Sequence, residues 1–569
     1  MVMDMAMPPR QAPEAGGGAS SRPRRFAGHL IAAAVWGWPC ALVYAQGIGL
    51  PPASAANTEP RDAMSTGLLG TGTGTGTGTD ATGAGTASAE SGRTFSVKPR
   101  VSVNETATNN AFLNNADRHS DLATEVSPGL RITSNGARLK GYFDYSHSSI
   151  LHSSSLIPTG TRNTLNTQAT LEAIERWGYV DFTGVIGQQA ISAFGTQSLD
   201  NATVNLNRTE VSSYRLSPYI RGRIADRANY ELRLVRSITQ TSTALASNSA
   251  GSEVLARFEG NSALRSVRWS VDTAAQRFDY AAGRGTEADR VRGVLTYVAS
   301  PQLNFSLIGG REANNYLTVD KQGKAFGGAG MQWAPSERTR LRIEGEGRQY
   351  GSLHSINFEH RTARTSWGFS DVTDVSATPG VAGVASLGAV YDLLYAQLAA
   401  TEPDPVKRAA LVNAFLQANG INPNAVVTSG FLSSSIAKRR TQNLSFALLG
   451  VRDTITFVAT RGATQRLDSL TTVVDDLSSS DVVRNNGLSM TYAHRLTPLS
   501  SLNLIASQLR TSGAVGLQGT TMRSLNLNIS SRLGMHTTAT FGARRVLFDG
   551  GSAFPYAETA VLGSLSLQF

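Results

Sequence analysis

Cysteine is nearly absent from this chain of 569 residues: Cys40 stands alone. It falls inside an apolar run near the N-terminus, so everything after it lacks both a disulfide and a thiolate metal site. Gly37-Trp38-Pro39 in front of it put a bulky ring and a proline where an acylated lipoprotein cysteine has small residues, a poor match. Long apolar runs are scarce as well. The run from Leu30 to Ala45 is shorter than the ~18 residues of a membrane-spanning helix, and no later segment approaches it, which excludes a helical membrane protein. Catalytic spacing is missing too. The eight histidines, at 29, 119, 147, 152, 354, 360, 494 and 536, form no His-Glu-x-x-His or similar metal pattern, and no G-x-S-x-G elbow occurs. The expectation is a protein that is not an enzyme, with no catalytic, metal or cofactor-binding residues. A Ser-His-Asp site assembled at a rim from distant strands would leave no such spacing.

What is present begins with an address. Arg22, Arg24 and Arg25 precede the apolar run, and Val43-Tyr44-Ala45 offers small-residue cleavage before Gln46, with Ala53-Ser54-Ala55 as a second candidate. Residues 1–45 therefore read as a signal peptide, with a retained anchor as the alternative. Residues 46–93 are rich in Gly, Thr, Ser and Ala, including the Gly70 to Thr79 alternation. Such a stretch cannot bury enough apolar surface to fold and is expected to be a flexible periplasmic linker. It lacks the lysine and the preceding strand of a phosphate-binding loop. Net charge is +10, but the arginines are spread through strand-like segments instead of one patch, which argues against a nucleic-acid partner.

From Thr94 to Phe569 the pattern is period-2 alternation broken by turns. Ser134-Asn135-Gly136 predicts a tight hairpin turn with positive φ. Beyond it, Leu139, Gly141, Phe143 and Tyr145 share one face, and Arg138, Lys140, Tyr142 and Asp144 the other. Leu216 and Ile220 oppose Arg215, Arg221 and Arg223, and Leu232 and Leu234 oppose Glu231 and Arg233. The clearest case sets Leu341, Ile343, Gly345 and Gly347 against Arg340, Arg342, Glu344, Glu346 and Arg348. A soluble sheet could turn such a charged face to water. In a transmembrane barrel these charges must line the lumen, because charge against lipid near the midplane costs about 2–4 kcal/mol. Hydrophobic residues at 41% and a mean hydropathy of -0.15 fit either architecture.

The C-terminus decides between them. Val561, Gly563, Leu565, Leu567 and Phe569 alternate with Leu562, Ser564, Ser566 and Gln568, and the chain stops on the aromatic. Leu565, Leu567 and Phe569 resemble the recognition signal read by the outer-membrane barrel-assembly machinery, although Leu567 stands where an aromatic is common. The predicted fold is all-β: a transmembrane antiparallel β-barrel of about 22 strands, an even number between about 18 and 24, bounded by outer-membrane lipid. Short connections at Ser134–Gly136, Ser300–Gln302, Ala334–Thr339, Gly450–Asp453 and Thr497–Ser500 should face the periplasm. Longer loops around 107–120, 192–207, 314–323 and 466–481 should face outward. Residues 251–286 fit one long strand or two short ones. Leu387 to Leu398 and Val406 to Phe415 carry helical spacing around Glu402-Pro403-Asp404-Pro405, predicting a helical hairpin in an outer loop spanning 375–434. It could serve as lid, plug or docking site, or simply cover the rim.

Several segments together resemble one family. They are Gly310-Arg311-Glu312-Ala313-Asn314-Asn315-Tyr316, Gln332-Trp333-Ala334-Pro335-Ser336-Glu337-Arg338-Thr339, and Phe358-Glu359-His360-Arg361-Thr362-Ala363-Arg364-Thr365-Ser366-Trp367. With Val101 to Thr106 and Tyr214 to Arg223, most of the stretch 94–569 resembles the PEP-CTERM-system-associated outer-membrane proteins, which accompany exosortase and exopolysaccharide genes. Phe369-Ser370-Asp371 departs from the Tyr-Ser-Glu-like run expected there. The resemblance implies a barrel working beside an exopolysaccharide and its periplasmic export components, and supplies no catalytic or binding residues. Two functions follow as expectations. One is a conduit whose lumen arginines (Arg138, Lys140, Arg215, Arg221, Arg223, Arg233, Arg340, Arg342 and Arg348, with Glu344 and Glu346) engage acidic sugars weakly. The other is a barrel that tethers surface polymer or exported proteins. The same charges could instead pair across strands and brace the wall.

Overall fold

The computed structural model describes residues 94–569, apart from 383–430 and the loop positions 226, 244–247, 263, 265, 282–283, 377–379, 434, 469, 471–474, 515–518 and 552–553. The predicted signal peptide, the predicted linker and both predicted helices lie outside the described residues. The sequence alternation becomes one sheet of 24 strands. Two are three-residue pieces, Gly380–Ala382 and Phe431–Ser433, paired with each other, with Phe431 also bridging in parallel to Ala190. The other 22 run antiparallel from Phe95–Thr108 to Tyr556–Gln568, and these first and last strands pair, Arg100 opposite Gln568 and Thr108 opposite Ala560. The sheet is a closed 22-stranded barrel with no free edge. Residues 251–286 hold parts of three strands: Ser249–Asn261, Val267–Tyr280 and the start of Thr286–Ser300.

Both chain ends of the barrel lie at one rim, Phe569 donating its N–H to Pro99 O at 2.9 Å. Every connection at that rim is short, and each of the five predicted turns falls there. The hairpin after Ser134 differs from expectation in detail. Its connection is the three residues 136–138, closed by Gly136 N–H to Leu139 O (3.0 Å) and by the Ser134 hydroxyl on the same carbonyl (2.9 Å). A three-residue connection does not need positive φ at Gly136, and none is found there; Arg176 and Ala225 adopt it in neighbouring turns instead. The loops 109–120, 191–207, 315–321 and 467–481 gather at the opposite rim.

The outer face is apolar. Phe143, Leu216, Leu234, Leu295, Leu307, Ile343, Leu444, Leu488, Leu527 and Val561 all point outward and are exposed. Near the turn rim the same face carries Tyr230, Trp269, Tyr297, Trp333 and Trp367, with Trp177 donating its indole N–H to the Tyr230 hydroxyl at 3.0 Å. An apolar belt with an aromatic girdle is what lipid contact requires, and the short turns mark the girdled rim as periplasmic.

Candidate functional site in the barrel lumen

Because side chains alternate, each strand that turns leucine to lipid turns its other residues to the lumen. Arg292 and the Glu344–Glu346 pair stand on strands three apart in the sheet, yet Arg292 Nε donates to Glu346 at 2.6 Å and Nη2 bonds Glu344. Contact over that span is possible only on the concave side. Arg348 bonds Glu346 and Glu312 from the same side, and the Tyr350 hydroxyl reaches Glu312 at 3.0 Å. The Arg348 guanidinium also lies 3.8 Å from the centre of the Phe326 ring. Gly310 makes room for that ring, since a Cβ there would stand 2.5 Å from Phe326 Cζ.

A second cluster sits nearer the periplasmic rim. Arg233 donates to Asp181 (2.8 Å), Glu231 (3.0 Å) and the Ser217 hydroxyl (2.8 Å), and stacks 3.8 Å from the Tyr219 ring centre. Tyr219 stacks on Tyr179 at 5.2 Å, and Arg221 covers the other ring at 4.3 Å. The result is an Arg–Tyr–Tyr–Arg strip on the wall. A third cluster ties the first three strands together: Asp144 takes Arg100 at 2.6 Å and Arg131 at 3.0 Å.

The eleven predicted lumen residues thus divide by environment. Arg233, Glu344, Glu346 and Arg348 are engaged in ion pairs within the wall. Arg221 stacks on Tyr179, and Arg342 reaches Gln332 at 3.5 Å. Arg215 stands on the inner face toward Glu253. Lys140, Arg223 and Arg340 are exposed on inner-face positions near the periplasmic rim, and Arg138 lies in the turn itself. Alternation did not reveal Asp181, Tyr179, Tyr219, Asp272, Arg292 and Glu312. They share the inner parity of their strands, and that is the signal that could have found them. Among the described residues no group of three or more His, Cys, Asp or Glu is placed to hold a metal ion.

The outer half of the lumen is crossed by loops. In 191–207, Asp200 pairs with Arg544 of the wall, which also bonds Glu558 at 2.7 Å, and the Tyr556 hydroxyl donates to Gln197 O. Arg208 returns to Ser198 O at 2.6 Å, and Arg162 to Asn201 at 2.5 Å. Leu199 packs on Leu113, Met522, Val546, Phe548 and Tyr556, and Ala202 on Ala123 and Ile150. At its other end Ala193 and Phe194 pack with Phe431, Ala437, Leu477 and Val483. Asp476, opening the short helix Asp476–Ser479, accepts from Ser192 (2.8 Å) and from Ala193 N–H (2.5 Å). Leu477 and Val483 belong to the side of the ladder nearly opposite the strands that carry loop 191–207, so this loop spans the outer mouth.

No protein-family model matches the chain, and no curated protein does. Among solved structures the chain is similar to the FrpB iron transporter of Neisseria meningitidis, at 7% identity over 83% of this chain and 81% of that one, TM-score 0.45. It is also similar to the siderophore receptor PirA of Pseudomonas aeruginosa, at 8% identity, 83% and 80% coverage, TM-score 0.41. OccAB4 of Acinetobacter baumannii aligns at 7% identity, 83% and 98% coverage, TM-score 0.35. The barrel assignment stands on the closed hydrogen-bond ladder itself.

Proposed function

We propose that this protein is an outer-membrane channel that passes a large polar solute, an acidic exopolysaccharide being the species its chemistry suits. The observation that carries this reading is a closed 22-stranded barrel, apolar outside, with an inner wall of paired arginines and carboxylates. Paired charge keeps the lumen hydrated without a deep well for either ion sign, which suits transit more than storage. The periplasmic rim adds Lys140, Arg223 and Arg340 inside and Arg138, Arg176, Arg227, Arg338, Arg364 and Arg452 in the turns, with Glu175 and Glu337 among them. That basic excess would raise the local concentration of a polyanion before it enters. The Arg–Tyr–Tyr–Arg strip offers sugar rings a stacking surface between guanidinium groups. The link to a PEP-CTERM exopolysaccharide system rests on sequence resemblance alone.

A second reading is favoured by the loops that span the outer mouth. A barrel shut there would tether surface polymer or exported proteins instead of conducting. Single-channel conductance of the refolded protein in planar bilayers separates the two. Discrete steps blocked from the periplasmic side by an acidic polysaccharide are expected of the channel. Silence from barrels proven folded by heat-modifiable gel mobility would refute a constitutively open channel and leave the tether.

A further inference from the structure

Six neighbouring strands, from Ala437–Leu449 through Thr537–Gly550, each set one arginine on the lipid side: Arg440, Arg461, Arg484, Arg510, Arg523 and Arg545. Their parity is that of the outward Leu444, Phe457, Leu488, Leu525 and Leu547, and all six are exposed. The ladder aligns them: Arg440 and Arg484 both flank Ala463, and Arg461 and Arg510 both flank Asn486. Arg523 and Arg545 each step one outward position lower on the next two strands, following the strand stagger of a barrel. Most of them stand about 8 to 10 residues from the periplasmic end of their strand, and Arg484 about 13. At a rise of ~3.3 Å and a tilt near 40° that is roughly 20–25 Å above the periplasmic ends of the strands for most of them, the height at which the apolar belt ends.

Arg440 is held by Asp371 at 2.9 Å, and Arg545 donates to Thr559 at 2.6 Å. Arg461, Arg484, Arg510 and Arg523 make no ion pair among the described residues. The acidic groups near this rim are Asp549 on the same face, Asp371 already engaged by Arg440 and His354, and Asp481 in the loop above; in that loop Asp468 is taken by Arg284, Asp475 by Ser433 and Ser435, and Asp476 by Ser192 and Ala193. The opposite wall differs. There Arg236, Arg277 and Arg311 also face outward, but Arg236 donates to Ser252, Arg277 meets Asp279 and Glu287, and Lys321 meets Glu287 and Asp289, so basic and acidic groups are interspersed.

Resting on the outer-membrane reading above, we propose that this one-sided arginine row binds the phosphorylated headgroups of outer-leaflet glycolipid. The guanidinium fork donates to phosphate oxygens bidentately, and the row follows the plane in which those phosphates lie. Its test uses the full-length mature protein refolded in neutral phosphatidylcholine, with folding verified first. Purified bisphosphorylated lipid A, or the same lipid dephosphorylated, is then added, and bound lipid per barrel is counted by native mass spectrometry. The parent should retain the phosphorylated lipid at least tenfold better. Arg461→Gln with Arg484→Gln, Arg510→Gln and Arg523→Gln should abolish that preference, and Arg236→Gln with Arg277→Gln and Arg311→Gln on the far wall should keep it. If the fourfold variant fails to fold, the pairs Arg461→Gln/Arg484→Gln and Arg510→Gln/Arg523→Gln should each lower the preference. Equal retention of both lipids by the parent, or undiminished preference in the variants, overturns the proposal. Failure of the parent to insert at all overturns the membrane reading instead, and this proposal with it.

Discussion

The loop that spans the outer mouth gives the most demanding prediction. Asp200→Ala combined with Tyr556→Phe removes the Arg544–Asp200 pair and the hydrogen bond to Gln197 O, leaving the apolar seat of Leu199 and Ala202 intact. Breaking a buried ion pair costs about 3–5 kcal/mol, and the low end applies because Glu558 remains beside Arg544. A buried neutral hydrogen bond adds about 1 kcal/mol. Together, about 4 kcal/mol shifts the seated-to-unseated equilibrium by roughly a thousandfold. The parent should show rare, brief excursions to a wider state in single-channel recordings, and the double variant frequent ones. Acid should mimic the lesion. Burial raises the Asp200 carboxyl, but the Arg544 guanidinium outweighs it and holds the pKa below the ordinary 3.8. The seating energy of this carboxylate is complete above pH 3.8 and is lost as pH falls through the depressed value. Excursions should therefore multiply below that pH in the parent and change little in Asp200→Ala. An unchanged event frequency in a folded double variant would refute the reasoning.

Three further perturbations address the wall and the ends. Arg348→Met strands Glu312 beside Tyr350 and should cost about 3–5 kcal/mol, read as a lower urea midpoint in vesicles; Arg340→Gln at the exposed rim should stay within about 0.5 kcal/mol, and equal effects would argue against a cooperative inner network. Leu527→Arg in the outward belt should cost about 2–4 kcal/mol in vesicle folding titrations, whereas no loss would mean that this face does not meet lipid. Deleting Phe569 removes an exposed aromatic whose N–H bonds Pro99 O, so folded barrel in outer-membrane fractions should fall sharply while the detergent-refolded protein stays stable; normal insertion would show that the terminal aromatic is not read as an assembly signal.

How much of this was legible in the sequence depends on the range of each interaction. Alternation is local, so Leu341 to Arg348 announces a strand with one charged face, and turn residues such as Ser134 to Gly136 announce where it ends. An even number of such strands is what closure of an antiparallel barrel asks for. The partner of each charge is not local. Arg544 and Asp200 are 344 positions apart, and no periodicity relates them, so the loop that spans the lumen had no signature. The rule that charge in a barrel strand belongs to the lumen also fails toward the outer rim. It holds for Arg342 at mid-strand, but Arg461, Arg484, Arg510 and Arg523 share the parity of the lipid-facing leucines. Height resolves the conflict: the cost of lipid-facing charge falls toward zero at the membrane edge, and a long arginine stem reaches the headgroups from just inside it. Parity says which face a residue takes; distance from the turn, which alternation does not encode, says whether that face is hydrocarbon or phosphate.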